Sequence, residues 1–153
     1  MSKKLFIILF CTLFSLLFLG NAYAKDSSIT GLWKTIDDET GKKKSIVKIY
    51  EQDGKYFGQI VKLFLEPDED QNPVCDECAD DDPRKDKPSL GMVILKNLEK
   101  KGNKYKNGEI LDPGNGKVYD CKLWIEDDKL ILRGYILFFF RTQTWLPVNS
   151  VDE

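Results

Sequence analysis

The chain of 153 residues contains no histidine. Without histidine, the Ser-His-Asp and Cys-His arrangements of nucleophilic catalysis cannot form, and a zinc hydrolase with histidine ligands is excluded as well. No glycine-rich phosphate-binding loop stands before a predicted helix. We therefore expect no cofactor, no metal and, on balance, no enzymatic activity.

An excess of positive charge is also missing. The chain has 23 basic and 25 acidic residues, for a formal charge of −2 at pH 7. Nucleic-acid binding requires clustered Lys and Arg. A mildly acidic protein is thus not expected to bind nucleic acid.

Long apolar runs are absent except over residues 5–20. Lys3 and Lys4 precede this run, and Ala22-Tyr23-Ala24 follows it as a small-x-small cleavage pattern. This order is typical of a secretory signal peptide, and the run is shorter than the roughly 20 residues of a spanning helix. The sequence predicts a cleaved signal peptide over 1–24, a periplasmic or secreted location, and no transmembrane segment after cleavage.

Residues 25–148 are predicted to form one β-domain, followed by a frayed tail over 149–153. Short alternating segments are separated by turn signals such as Asp53-Gly54 and Asn107-Gly108. The predicted strands cover 30–36, 45–51, 56–65, 88–98, 109–111, 118–125, 129–137 and 138–148. About eight strands without a helical rhythm predict an all-β fold, an antiparallel up-and-down meander closing into a barrel. A β-sandwich is the alternative.

A long loop over 66–87 interrupts the pattern, rich in Asp, Glu and Pro. It contains Cys75-Asp76-Glu77-Cys78, a C-x-x-C pair that is compatible with a disulfide, part of a metal site or a redox centre. The surrounding carboxylates raise a thiol pKa and oppose a reactive thiolate, and an exported protein meets an oxidising compartment. The sequence therefore favours a structural disulfide between Cys75 and Cys78. Cys121, on the apolar face of its strand, is predicted to be a core residue.

Gly31-Leu32-Trp33 opens the first predicted strand, and Arg141 lies in the last one. These strands are neighbours in a closed barrel. Arg141 could lie over the indole of Trp33 and close one end of the barrel through a cation–π contact. Alternatively, Trp33 is a core aromatic residue and Arg141 points to solvent.

The Gly31-x-Trp33 pair with a late basic residue resembles the short signature of lipocalins and their fatty-acid-binding relatives. The chain as a whole resembles a family of small exported bacterial proteins known only as a domain of unknown function. The matching pieces are Gly31-Leu32-Trp33, Cys75-x-x-Cys78, Lys87–Met92 followed by Ile94-Leu95, Gly108–Pro113, Gly116–Tyr119, Leu130–Tyr135 and Arg141–Trp145. This resemblance implies a signal peptide, a single domain and a lipocalin-like barrel. The chain departs from lipocalins in placing its long loop after the third strand rather than the first.

Three functions follow as hypotheses. The leading one is a non-enzymatic exported binding protein that holds a small apolar or lipid-like ligand, because apolar pockets need few polar groups. An alternative is an envelope interaction or structural module, whose acidic loop or apolar run Ile136–Phe140 faces a partner protein. A second alternative is a thiol-redox protein acting through Cys75 and Cys78.

Overall fold

A computed structural model describes residues 28–152, and these form an all-β, antiparallel structure. The strands are β1 (Gly31–Ile36), β2 (Lys43–Gln52), β3 (Lys55–Leu63), β4 (Val93–Lys101), β5 (Lys104–Asp112), β6 (Lys117–Glu126), β7 (Lys129–Ile136) and β8 (Phe139–Val148). The predicted signal peptide lies outside the described residues. Within them, no helix has the length and apolar character needed to cross a membrane.

The eight strands form one closed barrel in sequence order. Each strand pairs with the next, and β1 closes the barrel by pairing with β8, where Trp33 lies opposite Pro147. Closure of this kind leaves no unpaired sheet edge. The predicted up-and-down barrel is confirmed, and the sandwich alternative is wrong.

The strands follow the alternation in the sequence. In β6, for example, Cys121 and Leu123 are buried while Asp120 is exposed, as expected for a strand with one face on a core. Asp53-Gly54 and Asp127-Asp128 make the β2–β3 and β6–β7 hairpin turns, each with two consecutive positive φ angles. Such turns match the twist of the strands that they join.

Two predicted boundaries are wrong. Asn107 and Gly108 do not make a turn but lie inside β5, which has nine residues and pairs with β4. The turn lies earlier, at Gly102. A Cβ at position 108 would stand 2.6 Å from Leu98 Cγ, so glycine is required here by close strand packing. β4 begins at Val93 and not at residue 88, because the preceding residues belong to the long connection from β3.

One end of the barrel is filled by large buried side chains. Tyr56 and Tyr105 meet there edge to face, with ring centroids 4.7 Å apart. The segment before β1 covers this end, since Ile29 is fully buried and its carbonyl accepts a 2.7 Å bond from Trp33 Nε1. Burial raises the pKa of Tyr56 to about 12. Because this end is closed, a ligand-binding site is expected at the opposite end of the barrel.

Candidate functional site

A cavity of about 840 Å³ occupies the open end of the barrel. It lies where the β1–β2, β5–β6 and β7–β8 turns converge with the β3–β4 connection. Its deeper wall is largely apolar and is formed by Ile60, Leu63, Ile94, Ile110, Leu111, Leu132 and Trp145. The volume is within the range of small-molecule sites, which span roughly 300–1,000 Å³.

The polar groups deep in the cavity are mostly satisfied by one another. The hydroxyls of Thr35 and Ser45, both buried, lie 2.8 Å apart. The Ser45 amide also donates to Thr35 Oγ1 over 3.0 Å. Trp145 Nε1 donates to Gln143 Oε1 over 3.2 Å. Because these groups already have partners, the wall presents an effectively apolar surface with few free polar anchors.

A gap in the side-chain lining occurs at Gly134, on the inner face of β7. A Cβ at this position would meet Tyr119 Cβ at 3.6 Å, an ordinary van der Waals distance. The backbone there has no positive φ. The site therefore has room for a side chain, and its absence leaves volume in the cavity.

Charged residues line the rim of the cavity as ion pairs. Lys42 lies 2.9 Å from Glu66, a contact that raises the pKa of Lys42. Arg141 Nε donates to Asp38 Oδ2 over 2.9 Å. Hydrogen bonds from the backbone and hydroxyl of Thr40 lower the pKa of Asp37. The rim thus balances cations against carboxylates and shows no excess that would select a strongly charged ligand.

The connection between β3 and β4 packs against the barrel beside the open end. Its disulfide joins Cys75 and Cys78 at a Cα–Cα distance of 5.4 Å, as predicted, and both residues are buried. The backbone at Glu77 and Cys78 lies against Gly116 in the β5–β6 turn. The C-x-x-C segment is therefore seated on that turn, and it is not free in solvent.

Arg84 fixes the same connection to the barrel wall. Its guanidinium bonds Asp82 at 2.6 Å and reaches the Val93 carbonyl at 3.3 Å. Glu109 of β5 lies 3.8 Å away. The hydrogen bond from Arg84 lowers the pKa of Asp82 to about 2, so this ion pair is intact at neutral pH.

The cysteines offer little reactivity. Cys121, the free thiol among the described residues, is buried, and burial raises its pKa to about 12. The thiol therefore stays protonated near neutral pH, whereas nucleophilic and redox chemistry need the thiolate. Across residues 28–152, no three or more Cys, Asp and Glu side chains are grouped so as to hold a metal ion.

The structure does not bring Arg141 to Trp33. Trp33 lies in the core near the closed end, opposite Pro147. Arg141 stands six residues before Pro147, about 20 Å along the strand at the usual rise, and bonds Asp38 at the rim. Gly31 begins β1 next to Trp33. Of the two sequence alternatives, the core position describes Trp33, while Arg141 is a half-exposed rim residue with an acidic partner.

Several cavity residues were not singled out from the sequence. Thr35, Ser45, Gly134 and Gln143 come from four different strands, and only the pairing of those strands brings them together. Gly134 alone has a local sequence signal, because a glycine within an apolar strand pattern often marks a bulge or a bend. Its observed role is to leave space inside the barrel.

The comparisons with known proteins agree with this geometry. The structure is similar to one described as "Protein HP1028 from the human pathogen Helicobacter pylori belongs to the lipocalin family", with a TM-score of 0.67 and 19% sequence identity, covering 82% of this chain and 86% of that one. At this identity, the similarity shows the fold alone. The fold is therefore that of a lipocalin-like β-barrel.

The family follows from the sequence. Residues 31–146 match the model of the family described as "Uncharacterized protein conserved in bacteria (DUF2147)", and the chain belongs to this family. No curated protein matches the chain significantly.

Proposed function

We propose that this protein is a non-enzymatic, exported binding protein that holds a small apolar or lipid-like ligand in the barrel cavity. The observation that carries the proposal is the cavity of about 840 Å³, open at one end and closed at the other, with an apolar wall. Transfer of apolar surface from water into such a wall is favourable by about 25 cal/mol per Å². A drug-sized ligand suits this volume.

The balanced rim supports a ligand with a polar end at the opening. An apolar body would lie against Ile60, Leu111 and Leu132, and a polar head would reach the ion pairs of Lys42 and Arg141. A periplasmic or secreted location, proposed from the N-terminal sequence, fits a protein with a disulfide in its β3–β4 connection.

The thiol-redox alternative has weaker support. Both cysteines of the C-x-x-C pair are buried, with 0% and 3% exposure. Thiol–disulfide exchange requires that a thiolate reach one of the two sulfur atoms. Burial and the acidic surroundings both oppose that step.

A substitution inside the cavity tests the proposed function. In Gly134→Leu, the new side chain would occupy the lining gap opposite Tyr119. We expect the affinity for a dansyl-labelled fatty acid to fall by about tenfold or more, because the ligand and the leucine compete for one volume. The measurement is a fluorescence titration in solution, with native mass spectrometry of the purified protein to reveal bound molecules.

Thr144→Leu is the matched control. Thr144 lies in β8 on the exposed outer face, so the same leucine there leaves the cavity unchanged. Both variants should keep the thermal unfolding of a folded barrel. Equal probe affinity in the parent protein and Gly134→Leu, or no probe binding by the parent, would contradict a ligand-binding cavity.

A further inference from the structure

The β7–β8 hairpin ends in an exposed apolar tip at the mouth of the cavity. Leu137 is 91% exposed and Phe138 is 97% exposed. The neighbouring side chains of Ile136, Phe139 and Phe140 are also exposed. We define these five residues, Ile136–Phe140, as the apolar tip. An exposed patch of this kind on a protein usually marks a contact surface.

The turn itself is unfavourable for the residues that occupy it. Leu137 has a φ of +50°, a conformation that glycine and asparagine adopt more readily than leucine. Because Leu137 has a positive φ and Phe138 does not, glycine at position 137 would form this hairpin with less strain. The chain thus has an apolar residue where glycine would be more stable, which points to a functional reason for the apolar side chain.

Cations and aromatic rings lie behind the tip on the outer face of the barrel. Arg133 stacks on Phe140, with its Cζ 4.5 Å from the ring centroid. Lys122 Nζ lies 4.8 Å over the ring of Tyr135. With a strand rise of about 3.4 Å, Arg133 lies roughly 13 Å behind the tip. An apolar end followed by an aromatic and cationic belt is the arrangement of a membrane-interface segment.

The charged residues of the β7–β8 hairpin are all basic. Residues 129–148 contain no Asp or Glu, and their cations nearest the tip are Arg133 and Arg141, whereas Lys129 begins β7 at the closed end of the barrel. Arg141 bonds Asp38 from the β1–β2 turn, and β6 places Asp120 beside Tyr135. The rest of the rim pairs its cations with carboxylates, so the groups that complement anionic headgroups are Arg133 and Lys122 on the outer face behind the tip.

We propose that the apolar tip docks the barrel mouth onto a lipid bilayer that contains anionic lipid. Leu137 and Phe138 would enter the acyl boundary while Arg133 and Lys122 remain at the level of the phosphates. A single convex hairpin suits insertion into lipid better than a stable protein interface, which buries about 800 Å² per partner over some 20–30 residues.

Docking would place the cavity opening against the bilayer. Ile136 and Phe139 line the cavity and also belong to the tip, so an apolar path runs from the membrane to the ligand site. Loading of a lipid-like ligand along this path rests on the proposed function. The docking itself depends on the exposed tip and its charges and not on a bound ligand.

The test is vesicle flotation with the protein produced from the full chain. Vesicles are made of phosphatidylcholine alone or of phosphatidylcholine with phosphatidylglycerol. We expect the parent protein to float with the mixed vesicles, and to bind less at high salt and without phosphatidylglycerol. The double variant Leu137→Gly/Phe138→Asn should bind at least about tenfold more weakly, since it loses both inserted side chains.

This variant gives the hairpin a favourable turn, so its barrel should remain folded. Leu90→Asn is the control, because Leu90 is also exposed, at 56%, but lies in the β3–β4 connection. Its vesicle binding should equal that of the parent. Absence of parent binding to the mixed vesicles, or equal binding by the double variant, would overturn the proposal.

Two further outcomes separate the alternatives. A dimer that the double variant abolishes would assign the tip to a second copy of the chain and overturn lipid docking. Tip-dependent binding to native membranes but not to pure lipid would assign it to a protein partner, with the same consequence. Dansyl fatty acid titration without vesicles tests the cavity separately: docking without probe binding would remove the proposed function and leave the docking intact.

Discussion

Arg141 and Asp38 are joined at the mouth of the barrel, with Nε and Oδ2 separated by 2.9 Å. Arg141 belongs to β8, and Asp38 belongs to the turn between β1 and β2. The contact therefore connects the apolar hairpin to the neighbouring turn of the rim. Both side chains are partly exposed, at 59% and 31%, and exposed ion pairs contribute about 0–1 kcal/mol to stability. Such a pair can open without unfolding the barrel.

Loss of this pair should change ligand exchange more than stability. In Arg141→Gln, we expect dansyl fatty acid to dissociate several-fold faster, because the hairpin is released from the β1–β2 turn. The free energy of unfolding should change by less than about 1 kcal/mol. Stopped-flow release and chemical denaturation measure the two quantities. Arg133→Gln is the control, since its Nε bonds Thr142 within the same hairpin; equal acceleration in both variants would remove the role assigned to the rim contact.

Gly116→Ala should displace the C-x-x-C segment from its contact with the β5–β6 turn. Gly116 has a φ of +66°, and a Cβ there would lie 1.8 Å from the Glu77 carbonyl oxygen. The two backbones must separate, and we expect a loss of about 2 kcal/mol or more in unfolding free energy. Urea denaturation gives the loss, and proteolysis within 66–87 reports the segment.

Gly114→Ala is the matched change in the same turn. There, a Cβ would approach only Asp112 Oδ1, at 3.4 Å. Its effect on stability should be much smaller. Similar losses in the two variants would show that the contact between Gly116 and Glu77 does not hold the segment.

The Asp82–Arg84 pair should make stability depend on acid pH. The pKa of Asp82 is about 2 when folded, below the ordinary value of 3.8. The pair therefore stabilises the fold above about pH 4, and the stabilisation is lost as the pH falls toward 2. Asp82→Asn should lose about 1–2 kcal/mol at pH 7, and its difference from the parent should shrink as the pH approaches 2.

Unfolding in urea at a series of pH values measures this effect. Asp81→Asn serves as the control, because Asp81 is exposed in the same acidic segment. It should follow the pH dependence of the parent. A stability difference for Asp82→Asn that stays constant down to pH 2 would contradict the assignment.

Cys121 should be unreactive in the folded protein. Its pKa is raised to about 12 from an ordinary value of 9.0 by burial, with Asp120 and Glu109 adding to the shift. At pH 8 we expect no alkylation by iodoacetamide until the barrel unfolds, and mass spectrometry of the peptide that contains Cys121 detects the label. Because a thiol with a raised folded pKa stabilises the fold only while protonated, stability should fall as the pH rises from 9 toward 12. Rapid labelling of folded protein would contradict this prediction.

The barrel could be predicted because its information is local. Alternation in β2 and β6, and turn pairs such as Asp53-Gly54, set the number of strands. The β4–β5 hairpin was misplaced because Asn107-Gly108 resembles a turn, while its positive φ at Asn107 is used inside a strand. The local sequence is the same for a turn and for a strand position with positive φ. Only the pairing with the neighbouring strand distinguishes them.

The cavity mouth was harder to predict, because its contacts join distant residues. Asp38 and Arg141 are separated by 103 positions, and no local pattern indicates their contact. Likewise, an apolar run such as Ile136–Phe140 is usually part of a core, and the sequence left open whether it faced a partner. Its exposure depends on where the hairpin ends relative to the cavity.

The closed end of the barrel, where Tyr56 meets Tyr105 beneath Ile29, restricts how a ligand can enter and leave the cavity. A molecule cannot pass through a barrel that is closed at one end, so a ligand must enter and leave through the same opening. If the cavity holds a ligand, as proposed above, net transfer of that ligand requires a difference in its affinity or concentration between the site of uptake and the site of release. Under the proposed function, the protein would act as a ligand carrier and not as a channel.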